Sequence, residues 1–173
     1  MKKVLLRGPI LTKSGYGQHF RQIARWFFEN QEKYDLDISC ESLPWGVTGW
    51  MVNRDDEFVQ KVLQCAQRQH ENYDISVQLQ LPNEWNPFAA DYNIGVTAGV
   101  ETDMCNPEWV HCINKMDLVI VPSEFTRQTF LNSGEVKTKI VVIGESFNQL
   151  FLKPDDVKPF AGLDNLESDF NFL

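Results

Sequence analysis

Apolar and polar positions follow two different periods along this chain. Short apolar runs of strand type fall at residues 3–8, 36–41, 74–80, 92–98, 117–121 and 139–144. Between the first two runs, apolar residues recur at the spacing of a helical stripe, at Phe20, Ile23, Ala24, Phe27 and Phe28. Helices are therefore predicted at 16–31 and, by a similar stripe, at 55–69. The second is expected to bury Phe58, Val59, Val62, Leu63 and Ala66.

Turn chemistry predicts two further helices. The first is predicted to begin at Asn106, a typical cap residue. Pro107 suits the first helical position, and the Glu108 carboxylate lies near the positive end of the helix dipole. Ser123 suits the cap of the next helix, and Gly134 is predicted to end it in the left-handed conformation. Six strands that alternate with helices or long crossovers predict an α/β fold. We expect a doubly wound, mostly parallel Rossmann-like sheet with helices on both faces.

Composition narrows the class of protein. The chain has 173 residues, about one domain, and a net charge of −8 that disfavours direct nucleic-acid binding. It contains no apolar run long enough for a transmembrane segment and no signal peptide, so a cytoplasmic location is the simplest expectation. The four cysteines form no CxxC pair, which disfavours a zinc site. An even number of cysteines suits disulfides, but without secretory signals we expect reduced, mostly buried thiols.

Polar residues follow the fourth and fifth predicted strands. Glu101, Thr102 and Asp103 follow the fourth strand, and Ser123 follows the fifth. In an open α/β sheet the ligand crevice lies beyond the carboxyl ends of the strands, so these residues are candidates for a site. Glu101 has the chemistry to accept hydrogen bonds from hydroxyls or to act as a base. The alternative is structural, with turn carboxylates bonded to backbone N–H groups and Ser123 acting only as a cap.

The loop after the first strand is a second candidate. Its sequence Ser-Gly-Tyr-Gly, residues 14–17, permits close approach of a ligand to the backbone, and the following helix directs N–H groups toward the crevice. It is not the G-x-G-x-x-G fingerprint, which disfavours a nicotinamide dinucleotide. A tight turn is the alternative. Lys13, Arg21 and His19 are nearby and are either site residues or ordinary solvated side chains.

Aromatic residues lie in the segments that follow the second and third predicted strands, at the same carboxyl rim of the sheet. They are Trp45, Trp50, Trp85 and Phe88. Aromatic faces in such a position suit stacking against sugar C–H groups or a large apolar acceptor. The alternative is that these side chains only pack against loops or against a second domain.

Several ordered motifs resemble one enzyme family. The matching motifs are, in order, Gly8-Pro9, the 14–17 loop, Glu101-Thr102-Asp103, Pro107-Glu108-Trp109, Asp117 and residues 121–125 (VPSEF). Through them the chain resembles the acceptor-side domain of retaining GT-B glycosyltransferases of the group 1, or family 4, type. The resemblance implies transfer of a sugar from a nucleotide-sugar donor to an acceptor hydroxyl with retention and no metal or other cofactor. It places Glu101 nearest the chemistry. The substrate-binding set that we adopt is Gly15, Tyr16, Gly17, Trp45, Trp85, Thr102, Asp103 and Ser123.

The sequence also departs from that family. Gly99, Val100 and Glu101 stand where many members have a histidine after strand four, and residues 144–146 replace a His-Gly pair after strand six.

The resemblance implies a domain division. Residues 1–152 are expected to form the acceptor-side domain, and 153–173 a linker and the start of a donor-binding domain whose remainder is not in this sequence. The chain alone is then expected to be inactive. Its partners would be a sugar acceptor of undetermined class and a nucleotide-sugar held by the second domain.

Other functions stay open at the level of sequence. One is a stand-alone carbohydrate or nucleotide-sugar binding module whose tryptophans supply the affinity. Another is an interaction protein whose rim aromatics form a dimer or split-enzyme interface. A third is an unrelated Rossmann-type enzyme such as a methyltransferase.

Overall fold

The computed structural model describes residues 1–147, and every structural statement below concerns that range. Strands and helices alternate in it as β1 (Lys2–Gly8), α1 (Gly15–Asn30), β2 (Leu36–Ser42), α2 (Glu57–Ala66), β3 (Ile75–Leu79), a short 3₁₀ helix (Pro82–Glu84), β4 (Tyr92–Val96), α3 (Pro107–Ile113), β5 (Leu118–Val121), α4 (Glu124–Ser133) and β6 (Ile140–Val142). This confirms the predicted order of elements. The predicted linker at 153–173 lies outside the described residues.

The six strands form one parallel sheet in the order β2-β1-β3-β4-β5-β6. On one face, α1 and α2 cover a core that includes Val4, Leu6 and Val77. On the other face, α3 and α4 pack against Val119 and Val121 of β5. The predicted Rossmann-like architecture, with helices on both faces of a doubly wound sheet, is confirmed.

The stripe on α1 is buried as predicted, and that on α2 only in part. Phe20 and Ala24 of α1 are fully buried, and the other members of its stripe pack against them. On α2, Asp56 caps the helix through the N–H groups of Phe58 and Val59. The expected burial of Leu63 is wrong, because this side chain is 41% exposed. The buried stripe is centred on Val62, and Leu63 lies about 100° further round the helix.

The helix starts at Asn106 and Ser123 are confirmed. Asn106 Oδ1 accepts a hydrogen bond from the Glu108 N–H, and Pro107 is the first residue of α3. The prediction for Gly134 is wrong: its φ of 164° is extended backbone, not the left-handed region. The chain leaves α4 in an extended conformation at this residue. None of the described helices is long and apolar enough to cross a lipid bilayer.

Candidate functional site

The strand order places a crevice at the carboxyl ends of β1 and β3. Chain order reverses between these two neighbouring strands, because β1 connects to β2 on one side while the later strands add on the other. Ligands of open α/β sheets bind at such a reversal point. The loops that follow β1, β3, β4 and β5 therefore define the candidate site.

The loop after β1 is held by its own side chains. Ser14 Oγ accepts a hydrogen bond from the Gly17 N–H at 2.9 Å and lies 2.8 Å from Thr12 Oγ1. The Thr12 hydroxyl in turn donates to the Pro9 carbonyl at 3.0 Å. The first turn of α1 thus begins at a fixed position beside the crevice.

The two glycines of this loop have different surroundings. A Cβ at Gly17 would lie 2.3 Å from the Thr12 carbonyl oxygen, so only glycine fits there. A Cβ at Gly15 would meet no heavy atom within 4 Å, and the residue is exposed. Gly17 therefore serves packing, whereas Gly15 leaves the helix start open to a ligand.

Arg21 supports the loop from beneath. Its Nη1 donates to the carbonyls of Ile10 and Thr12 at 3.2 and 2.7 Å, and the side chain is buried. Burial also lowers the pKa of this guanidinium. Arg21 is thus neither solvated nor directed at the crevice, while Lys13 is exposed at the rim.

Tyr16 connects three loops. Its ring stacks on Trp45 with centroids 4.0 Å apart and planes at 17°. Its hydroxyl oxygen lies 3.2 Å from Thr97 Oγ1 and accepts a hydrogen bond from the Ala98 N–H at 3.2 Å. Burial raises the pKa of this phenol. The hydroxyl is engaged, so the Tyr16–Trp45 pair contributes an aromatic wall to the site.

The loop that carries Trp45 and Trp50 lies over the loop after β1. The Lys13 N–H donates to the Gly49 carbonyl at 2.7 Å, and the Met51 N–H to the Leu11 carbonyl at 2.8 Å. Trp45 is partly exposed and Trp50 is 39% exposed. Both tryptophans therefore lie at the carboxyl rim, where the sequence placed them.

Trp85 lies elsewhere. It is 7% exposed and belongs to the core beneath α3 and α4, with its ring against Gly95, where an added Cβ would lie 2.8 Å from the ring carbons. This matches the packing alternative for the aromatic residues. Phe88, in the same crossover, is 90% exposed.

The loop after β4 presents Glu101, Thr102 and Asp103 to solvent. Helix α4 anchors its backbone: Thr129 Oγ1 donates to the Thr102 carbonyl at 3.0 Å, and Asn132 Nδ2 to the Asp103 carbonyl at 3.1 Å. The Thr102 hydroxyl donates to the Met104 carbonyl at 2.7 Å. Within residues 1–147, no hydrogen bond or ion pair engages the Glu101 or Asp103 carboxylate.

Gly99 permits this loop geometry. Its φ is +80°, and a Cβ there would lie 2.5 Å from Thr126 Cγ2 of α4. The Thr126 hydroxyl also donates to the Ala98 carbonyl at 3.1 Å. Ser123 caps α4 by accepting from the Thr126 N–H at 3.1 Å. Ser123 thus has its structural role, while Glu101 and Asp103 extend from a loop with a firmly held backbone.

An arginine that sequence reasoning missed lies at the end of β1. Arg7 donates to Glu41 Oε2 at 3.0 Å, to Gln80 Oε1, and to the Glu84 carbonyl at 3.1 Å. It joins β2, β1 and the loop after β3. The available signal was an arginine inside an apolar strand, opposite a strand with Gln78 and Gln80.

His19 is also not an ordinary solvated residue. Its Nδ1 lies 3.2 Å from Glu145 Oε1, in the segment after β6. Burial lowers the pKa of His19, and the Glu145 carboxylate opposes that shift. Among residues 1–147, no cluster of three or more His, Cys, Asp or Glu side chains is arranged to hold a metal ion.

No protein-family model, curated protein sequence or solved structure matches this chain.

The surroundings of the two glycines predict that alanine substitutions there have different effects on stability. We expect Gly17→Ala to lower the free energy of unfolding by about 1–3 kcal/mol, because the new Cβ collides with backbone. Gly15→Ala is the matched control and should leave stability unchanged or raise it by up to about 1 kcal/mol. Urea unfolding followed by circular dichroism measures both. Equal stability of the two variants would contradict the assigned packing role.

The His19–Glu145 pair predicts a pH response. Because burial holds the folded-state pKa of His19 below its ordinary value of 6.5, the stability that the neutral ring contributes should decrease as pH falls below that value. Glu145→Gln removes the opposing charge and should lower the pKa of His19 further, as measured by NMR titration. Exposed His111 is the internal control. An unchanged or raised His19 pKa in the variant would refute the pairing.

Proposed function

We propose that this chain contributes the acceptor-side half of a retaining GT-B glycosyltransferase. The observation that carries the proposal is the carboxyl edge of the sheet. There an exposed carboxylate on an anchored loop, Glu101, is found on the same edge as the open helix start at Gly15 and the Tyr16–Trp45 wall. The ordered motifs from Gly8 to Phe125 support the family that we propose.

The chemistry assigned to this half is positioning. A sugar hydroxyl needs hydrogen-bond acceptors and a flat apolar surface, and the edge supplies both: carboxylates at Glu101 and Asp103, and the aromatic wall. The backbone of the 98–105 loop is fixed, so the carboxylates do not need to move when the acceptor binds. This favours a defined orientation of the acceptor. Glu101 is the residue that we assign to the acceptor hydroxyl, as hydrogen-bond acceptor or base.

The proposal assigns the donor to a second domain. Within this half, the amino end of α1 at Gly15 is the position best suited to contact a diphosphate. Its surroundings are open, and helix N–H groups attract anions. Most of the donor contacts would come from the partner domain. The chain by itself is therefore expected to show no sugar transfer, and it needs no metal for the role proposed.

A stand-alone carbohydrate-binding module is the second candidate. The partial exposure of Trp45 and the 39% exposure of Trp50 favour it, since aromatic faces at a rim suffice for sugar binding. The two functions differ in the role of Glu101, because a tryptophan-based module does not need that carboxylate.

We expect Glu101→Gln to weaken sugar binding by about tenfold, the size of one lost charge-assisted hydrogen bond. The probes are a panel of mono- and disaccharides screened by saturation-transfer NMR, followed by the dissociation constant of the tightest binder. Asp91→Asn is the matched control, because Asp91 is an exposed carboxylate at the opposite end of β4. Binding that depends on Trp45 but is unchanged in Glu101→Gln would favour the module, and no binding by any sugar would refute both.

A further inference from the structure

Two of the cysteines lie next to each other in the core. Cys40 is on β2 and Cys65 is in the last turn of α2, and both belong to the apolar cluster on the face of the sheet that α1 and α2 cover. Cys40 is 6% exposed and Cys65 is fully buried. Both are free thiols, and a hydrogen bond joins them, so the two sulfur atoms are neighbours.

The local structure of β2 and α2 produces this contact. Ile38 and Cys40 lie on the same face of β2, because side chains alternate along a strand. Val59, Val62 and Cys65 follow one another at three-residue intervals and form the buried face of α2. Each thiol is therefore held by a regular element and directed at the other, which is an arrangement that a disulfide bond requires.

The surroundings of the pair favour a thiolate at Cys65. The hydrogen bond from the Cys40 thiol lowers the pKa of Cys65. The positive charges of Arg68 and Lys61 act in the same direction, and burial and the Asp37 carboxylate oppose them. The same hydrogen bond, together with burial, raises the pKa of Cys40. Because thiolates are the nucleophiles of cysteine chemistry, Cys65 is the sulfur that reacts first.

We propose that Cys40 and Cys65 form a redox-active pair that hydrogen peroxide converts to a disulfide bond. The Cys65 thiolate attacks one peroxide oxygen, and the O–O bond breaks to give a sulfenic acid and hydroxide. The Cys40 thiol then attacks the sulfenic sulfur, and the sulfenic oxygen leaves with the thiol proton as water. Each sulfur loses one electron, the peroxide oxygens gain both, and hydroxide takes up the proton that Cys65 released.

The disulfide connects β2 to the end of α2. The closed loop runs from Cys40 to Cys65 and contains Trp45 and Trp50. Such a cross-link restricts the unfolded chain, so the oxidised protein is expected to unfold at a higher urea concentration. Peroxide is small and uncharged, and local opening of the last turn of α2 gives it access to Cys65. The assignment does not depend on the function proposed above.

Oxidation of the folded, full-length chain tests the pair. The variant Cys105→Ser/Cys112→Ser removes the two partly exposed cysteines, so that only Cys40 and Cys65 remain. Hydrogen peroxide should then remove both thiols together and lower the mass by two hydrogen atoms. Proteolysis without a reductant should give the peptide pair that contains Cys40 and Cys65. The urea midpoint should rise on oxidation and return when a reductant restores the thiols.

Cys40→Ala in the same background is the matched control. Cys65 then lacks its partner thiol, so peroxide should leave a sulfenic acid that dimedone labels, with no internal cross-link. Two thiols that survive peroxide in the folded parent chain, counted after unfolding, would overturn the proposal. So would a cross-link that forms only between two chains or only in unfolding concentrations of urea. These measurements keep both core cysteines in place, so they do not depend on the folding of the Cys40 variant.

Discussion

The parallel pairing of β1 with β3 is the constraint on which the rest of the structure depends. Val4 aligns with Ile75 and Leu6 with Val77, and β2 pairs on the other side of β1. This register brings the loops after β1, β3 and β4 to one edge and makes them neighbours. The contact of Tyr16 with Thr97 and Ala98 is possible only because of it. The candidate site is therefore a consequence of sheet order.

The fold was predictable because its signals are local. Strands and helices are specified without tertiary information by apolar runs of two different periods. Helix starts are specified by the Asn106 cap before Pro107 and by the Ser123 cap. The errors arose where tertiary packing decides. Leu63 satisfies a helical spacing yet is 41% exposed, because α2 buries the face that carries Val59, Val62 and Cys65. Gly134 leaves α4 in an extended conformation.

The site was predictable in position more than in role. Polar residues after β4 and the loop after β1 were expected at the carboxyl edge, and the structure places them there. Sequence alone did not separate Gly15, which faces open space, from Gly17, which packs on Thr12. It also did not separate the buried Trp85 from the rim tryptophans, and it missed the support that Arg21 gives to the loop. These distinctions depend on which surfaces the crossovers bring together.

We propose that this edge binds a sugar acceptor and that a second domain binds the donor nucleotide. The most direct test is mapping of backbone amide shifts in the full chain, titrated separately with the tightest-binding sugar, UDP and GDP. We expect the sugar to shift amides in residues 13–17 and 98–103, and UDP and GDP to leave the amides of residues 98–103 unchanged. Shifts caused by a nucleotide at this edge, with no response to any sugar, would contradict the proposal.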